Sequence, residues 1–221
     1  MHIEILVEDI SGERLLEQVL PNLIDHPERT TFKLHSYKGI GHLPSDLISA
    51  KDIRSQQLLR DMPRMIRAYG RTFAGYGPNY PAALLIVSDL DDGCLRELRN
   101  NLAALLQSCR PAPNTIFCFA IEEMEAWLLG DIEAIKAAYP RARPNVLTTY
   151  EQDSICGTWE LLANAIYKGG VKTLKTRPYF EIGAQKSEWA IEIASRMNIA
   201  SNRSPSFQYF CQKMRYLVES C

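Results

Sequence analysis

Ala82-Ala83-Leu84-Leu85-Ile86-Val87, running into Ser88-Asp89-Leu90-Asp91-Asp92, is the stretch whose reading decides the fold. A run that is apolar at every position, not at alternate ones, is the pattern of a strand buried on both faces of a parallel sheet. Such a strand requires helices above and below it. The grammar recurs on either side. Ile3–Val7 is a second such run and is followed by Glu8; Ile116–Ile121 is a third and is followed by Glu122-Glu123-Met124-Glu125. In open α/β sheets the carboxyl ends of the strands form the ligand crevice. Three acidic stations at three strand ends therefore fall on one rim. Gathered carboxylates repel one another, and the usual physical reason to collect them is a hard divalent cation that takes their oxygens as ligands.

The remaining chain fits this frame. Residues 31–37 alternate weakly, with Phe32 and Leu34, and read as a further strand. Ser11 is placed to cap a helix whose apolar positions Leu15, Leu16, Val19, Leu20 and Leu23 follow the helical period. Residues 45–68 read as helical with an interruption near Pro63. Helices are also expected over 93–108 and from about Ile121 through Leu129. After Pro140 no strand pattern remains. A polar connection over 144–154 leads to helical patterns at 157–167, 184–197 and 205–219. The last has Ser204 as its cap, Pro205 at its first position and Phe207, Phe210, Met214 and Leu217 on one face. The expected architecture is an α/β domain over residues 1–139, with a mainly parallel sheet of about four strands and helices on both faces. A helical extension over 140–221 packs on that core.

Composition excludes several classes. No apolar run approaches the roughly 18 residues of a membrane span, and the N-terminal Met-His-Ile-Glu-Ile-Leu-Val reads as a strand and not a signal peptide. The 6 cysteines are scattered without a C-x-x-C pair, which argues against a zinc site and for reduced thiols in a cytoplasmic protein. Charge is uneven: residues 1–135 hold 13 basic and 19 acidic side chains, net −6, whereas residues 136–221 hold 12 and 7, net +5. A basic half beside an acidic half suits a phosphate-rich partner, and equally two halves that attract each other.

Each acidic station has a plainer reading beside the metal one. Glu8 can serve a helix dipole. Asp89 and Asp91, two apart, face the same way if the backbone stays extended, but Asp91-Asp92-Gly93 is also turn chemistry. Glu122 and Glu125 share a face if both lie on one helix, where a helix N-terminus favours acids in any case. Two basic groupings are candidates for phosphates: Arg60, Arg64, Arg67 and Arg71 at helical spacing, and Lys168, Lys172, Lys175 and Arg177 interleaved with Tyr167 and Tyr179. The plainer reading makes the first a solvated face and puts the aromatics of the second, with Trp127, Trp159 and Trp189, into packing. No G-x-S-x-G, P-loop lysine or Cys–His arrangement offers competing chemistry. Asp89-Leu90-Asp91-Asp92-Gly93 superficially echoes an aspartyl-phosphate nucleophile, but that motif belongs on the first strand of its domain.

At these residues the chain resembles the TOPRIM superfamily, which carries a glutamate after its first strand and an Asp-x-Asp pair after a later one. Val7-Glu8-Asp9 and Val87-Ser88-Asp89-Leu90-Asp91 match. It is more specifically similar to a bacterial TOPRIM branch long filed under an unknown-function label, which includes the toxin nuclease of the PARIS anti-phage defence system. The segments that carry this likeness are Ser11 and Glu13, Tyr37-Lys38-Gly39, Glu125-Ala126-Trp127-Leu128-Leu129-Gly130-Asp131, Lys186, and Asn202-Arg203-Ser204-Pro205-Ser206-Phe207. The resemblance implies a Mg²⁺- or Mn²⁺-dependent nuclease acting on DNA or RNA. Glu8, Asp89 and Asp91 would be ligands, joined by Asp92, and Glu122 and Glu125 would complete a second metal site or orient water. Lys38 and Lys186 would steady transition-state charge. Partners implied are nucleic acid, an ABC-type ATPase and a second copy of the chain. The further acid that often follows the Asp pair in that superfamily is displaced here, since Asp92 is adjacent and Gly93 follows. That keeps open a second reading, a TOPRIM-like module with silent acids, held by an ATPase.

Overall fold

The computed structural model describes residues 1–24, 27–37, 57–77, 79–91, 93–154 and 157–219, with backbone only at 57–60. Strands β1 (His2–Val7), β2 (Thr31–Ser36), β3 (Ala82–Asp89) and β4 (Asn114–Ala120) form one sheet in the order β2-β1-β3-β4. All three pairings are parallel. The helices are α1 (Ile10–Val19), α2 (Gln57–Ala74), α3 (Leu95–Ser108), α4 (Glu125–Leu129), α5 (Ile132–Ala138), α6 (Pro144–Leu147), α7 (Thr158–Ile166), α8 (Gly170–Leu174), α9 (Tyr179–Ala194) and α10 (Pro205–Glu219).

The apolar runs of β1, interrupted only at Glu4, and of β3 are explained by cover on both faces. Odd-numbered side chains (Ile3, Ile5, Val7, Ala83, Leu85, Val87) join one core with Leu15, Leu16, Trp127, Trp189, Phe207 and Phe210. Even-numbered ones (Leu6, Leu84, Ile86) join a second core with Met62, Met65 and Ile66 of α2 and Leu102 of α3. Glu4, the even-numbered charged position of β1, is instead hydrogen-bonded to His2 and His35; the rest of the two runs shows the period-two alternation of strands with both faces apolar. The first core takes in the helices beyond residue 140, so the C-terminal helices and the sheet share one interior. The face of α10 is the one its spacing indicates: Phe207, Phe210, Met214 and Leu217 are all buried.

One local expectation fails. α2 continues past Pro63 without the break expected there. A proline removes one helical donor, but Met62, Met65 and Ile66 are buried on either side of it. Their packing against the sheet holds the flanking turns in line, and tertiary context overrides the local cost.

Sheet order positions the functional rim. From β1 the chain proceeds to β2 on one side and returns to β3 on the other. The carboxyl ends of β1 and β3 therefore bound the topological switch point, where open α/β sheets leave a crevice.

Candidate functional site

β1 and β3 run in register, with Val7 beside Val87, so Glu8 and Ser88-Asp89 leave the sheet side by side. Glu8 is 5 % exposed. Its Oε2 accepts from the Ser88 hydroxyl at 2.8 Å and from the Asp89 backbone N–H at 3.1 Å. Two donors on one oxygen fix this carboxylate across the switch point. Asp89, whose backbone holds Glu8, has the opposite condition in its own side chain. Its Oδ1 is buried and has no hydrogen-bond partner among the described residues. Burial holds the Asp89 carboxyl well above the ordinary aspartate range. The nearby charges of Glu8, Asp9 and Glu125 add to this, and Lys186 opposes it.

Glu125 and Lys186 come from the helical side. Glu125 opens α4 and is 3 % exposed. The Lys186 ammonium, projecting from α9, lies 3.2 Å from its Oε1. Burial pulls the Lys186 pKa down, but Glu125, Glu123, Asp89 and Asp9 outweigh it and hold the ammonium above the usual lysine range. A lysine charge thus stands among the carboxylates.

The position of Glu125 depends on a polar latch. The Trp127 indole N–H donates to Ser206 Oγ at 3.0 Å, and the Asn202 amide donates to the Trp127 carbonyl at 2.8 Å. Ser204 Oγ donates to Asp153 Oδ1 at 2.9 Å, and the Ser206 N–H donates to Asp153 Oδ2 at 2.7 Å. The Trp127 ring packs 5.4 Å from Phe207 and 5.0 Å from Phe210. The Glu125-Ala126-Trp127 and Arg203-Ser204-Pro205-Ser206-Phe207 segments are two halves of one fastening. Gly130 belongs to it, since a Cβ there would stand 2.1 Å from Asn202 Oδ1. Trp127 is structural, as its place in packing implies.

Other predicted site residues lie elsewhere. Glu122 and Glu125 do not share a helical face: α4 begins only at Glu125, and Glu122 has φ 70°. Instead the Glu122 carboxylate accepts from the Gly157 N–H and from the Thr158 N–H, the latter at 3.1 Å. Glu123 accepts from the Thr158 hydroxyl at 3.0 Å and the Trp159 N–H at 3.2 Å. Both acids therefore serve the orphan donors at the start of α7. Burial, with Glu123 beside it, pushes Glu122 up to about 7, while the Thr158 donors pull it back. Asp89 and Asp91 likewise do not share an extended strand. β3 ends at Asp89, and Asp91 sits in a turn at φ 50° with its N–H on the Glu122 carbonyl at 2.9 Å. The two-residue spacing no longer aligns their carboxylates. Lys38 and Asp92 lie outside the described residues.

Sequence reasoning passed over Asp9. It caps α1 through its Oδ1, which accepts from the Gly12 N–H at 2.8 Å and the Ser11 hydroxyl at 2.9 Å, and its charge acts on both Asp89 and Lys186. The cap is Asp9 and not Ser11, which lies inside α1; an Asp directly before the helical pattern was the available signal. Ser88, the donor to Glu8, carried none.

The donor chemistry of this crevice suits a hard divalent cation, because Asp89, Glu8, Glu125 and Asp9 offer carboxylate oxygen only. The partnerless Asp89 Oδ1 is the atom with an unmet need for one. Yet among the described residues no three Asp, Glu, His or Cys side chains stand together as a ready cation site. Among those residues, too, no helix is long and apolar enough to cross a membrane.

Comparison with known proteins places this chain in a family. It belongs to the family described as "Domain of unknown function (DUF4276)", which matches residues 7–215. No curated protein and no solved structure matches it significantly.

Proposed function

We propose that this TOPRIM-like chain is a Mg²⁺- or Mn²⁺-dependent nuclease. It would hydrolyse phosphodiester bonds of DNA or RNA, tRNA among them, as a cytoplasmic effector of anti-phage defence. The observation that carries the reading is the buried, partnerless Asp89 Oδ1 beside Glu8 at the switch point. Leaving a buried acceptor unmet costs about 1–3 kcal/mol, more for a charged group. A protein tolerates that cost where a ligand removes it.

A divalent cation bound there supplies polarisation of a phosphate oxygen and a water of lowered pKa. Asp89 and Glu8 would hold it, with Asp9 and Glu125 adding negative charge. Ser88 and the Asp89 N–H keep Glu8 oriented, so that carboxylate does not reorganise on binding. Glu125 keeps Lys186 charged and in place, and the ammonium is available to a phosphate oxygen at the crevice.

One observation favours a second reading. Lys186 already neutralises part of the acidic cluster, as expected of a silent module held by an ATPase partner. Thermal unfolding with and without Mn²⁺ separates the two. A nuclease site should raise Tm in the parent and not in Asp89→Ala. It should also give cleavage of DNA or RNA that depends on the metal and on Asp89. The absence of any Mn²⁺-induced rise in the parent's Tm, without cleavage, would leave the silent module standing.

A further inference from the structure

Residues 175–180, Lys-Thr-Arg-Pro-Tyr-Phe, are all exposed. Pro178 caps α9 in an extended conformation, and Tyr179 and Phe180 open the helix at 82 % and 74 % exposure. The plainer expectation, that Tyr179 packs in the core, is overturned; only Tyr167 lies against it. Exposed adjacent aromatics have no folding rationale and mark interaction surfaces. Lys168, Lys172, Lys175 and Arg177 precede them in the chain, and all four are exposed.

This patch leads into the acidic crevice. The Lys175 ammonium lies 5.3 Å from the centre of the Trp159 ring, and the Lys186 ammonium lies 5.9 Å from the same centre. Trp159 therefore joins the surface cations to the lysine that touches Glu125. Lys186 is carried by the same helix that Tyr179 and Phe180 begin. A ligand resting on the aromatics has a cationic and aromatic track toward Asp89.

We propose that this surface, from Lys168 to Phe180, is the docking platform for an unpaired nucleic-acid strand, with bases stacked on Tyr179 and Phe180 and phosphates held by Lys172, Lys175 and Arg177. This rests on the nuclease reading and specifies its substrate class. Charge complementarity selects a polyanion over an apolar protein partner. Exposed rings select an unpaired strand, since a duplex keeps its base faces stacked inside. Lys175 is 3.0 Å from Glu160 and Arg177 is 3.9 Å from Glu181. Both pairs are partly solvated and screened, so incoming phosphates can displace them.

The test is fluorescence anisotropy of the full chain in EDTA, with labelled oligothymidylate, oligouridylate and a blunt DNA duplex. The parent should bind both single strands more tightly than the duplex. Tyr179→Ala/Phe180→Ala should weaken single-strand binding about ten-fold or more. Lys172→Ala/Arg177→Ala should flatten the dependence of log Kd on log salt by about 0.7 for each phosphate no longer held. Unchanged single-strand affinity in the aromatic variant overturns the platform. So does preference for the duplex, absence of any nucleic-acid binding, or a change confined to self-association in sedimentation. Failure of the nuclease reading looks different: strand binding remains sensitive to Tyr179 and Phe180, but no metal yields cleavage.

Discussion

Glu122 and Glu123, at one end of the acidic rim, and Asp89 and Glu125, at the other, are buried or part-buried carboxylates of similar surroundings and opposite condition. The first pair is answered by backbone: Gly157, Thr158 and Trp159 direct N–H groups at it, and the Thr158 hydroxyl adds a further bond. The second pair is answered by one lysine, and Asp89 Oδ1 by nothing among the described residues. Carboxylates that satisfy a helix N-terminus already have hydrogen-bond donors on their oxygens and contribute to the fold. Carboxylates left short of donors keep an electrostatic demand that an external cation can meet. Acidity of sequence does not distinguish the two ends; the supply of donors does.

The largest expected effect tests the unsatisfied end. Asp89→Ala should reduce metal-dependent cleavage by on the order of a thousand-fold. Its denaturant midpoint should stay at or above that of the parent, because a raised, repelled carboxylate is removed. Cleavage at the parent's rate by purified Asp89→Ala would erase the contrast, since Asp89 would then have no more chemical role than Glu122.

Next comes the pair at the centre. Glu125→Ala leaves the Lys186 ammonium largely buried with its nearest partner gone. It should cost about 3 kcal/mol in urea unfolding, the low end of the range for breaking a buried pair. Glu123, Asp89 and Asp9 still face the lysine and soften the loss. Glu125→Met/Lys186→Met, apolar where both charges stood, should recover most of it. If Glu125→Ala is as stable as the parent, the contact is peripheral and the lysine does not organise this site.

The satisfied end sets the third expectation. Glu122→Ala removes the acceptor for two amides at the α7 N-terminus and should cost about 2 kcal/mol. Mn²⁺ stabilisation and cleavage should be unchanged. Loss of Mn²⁺ binding with unaltered stability would exchange the roles of the two ends.

The sheet was legible because Ala82–Val87 is apolar at every position and Ile3–Val7 at all but Glu4, a pattern that calls for two-sided cover, and α10 because its four apolar residues keep helical period. The rim itself was legible, since acids directly after such strands must fall at their carboxyl ends. Which acids converge was not. Asp89 and Asp91 part company where the strand stops, at a backbone turn secured by the Glu122 carbonyl. Glu122 and Glu125 part because the helix starts three residues late, after a residue with positive φ. Both outcomes are set by hydrogen bonds between distant segments, which no local spacing encodes. The latch is a milder case: Trp127 could be assigned to packing, but its bond to Ser206 spans 79 residues.

The smallest effect is one of pH, read as the difference between the parent and an Asp89 variant. The folded pKa of Asp89 is raised by burial and by its acidic neighbours. Between the unfolded value, about 3.9, and that raised value the folded chain holds the proton more tightly than the unfolded one. The stability this contributes is fully present below about pH 4 and is lost as pH rises through the folded pKa. Asp89→Asn cannot ionise, so its stability should fall less steeply above pH 4. One titrating proton changes the slope by at most about 1.4 kcal/mol per pH unit. Glu125, raised to about 7 chiefly by burial, with Lys186 opposing, and Glu122, raised to about 7 chiefly by burial, slope the same way and will leave a residual fall in the variant. Mn²⁺ should invert the parent's trend, because a cation binds the ionised carboxylate and makes its deprotonation favour the fold. Parallel stability–pH curves for parent and Asp89→Asn, with and without Mn²⁺, would mean that Asp89 is as fully answered as Glu122, and the distinction between the two ends of the rim would fall.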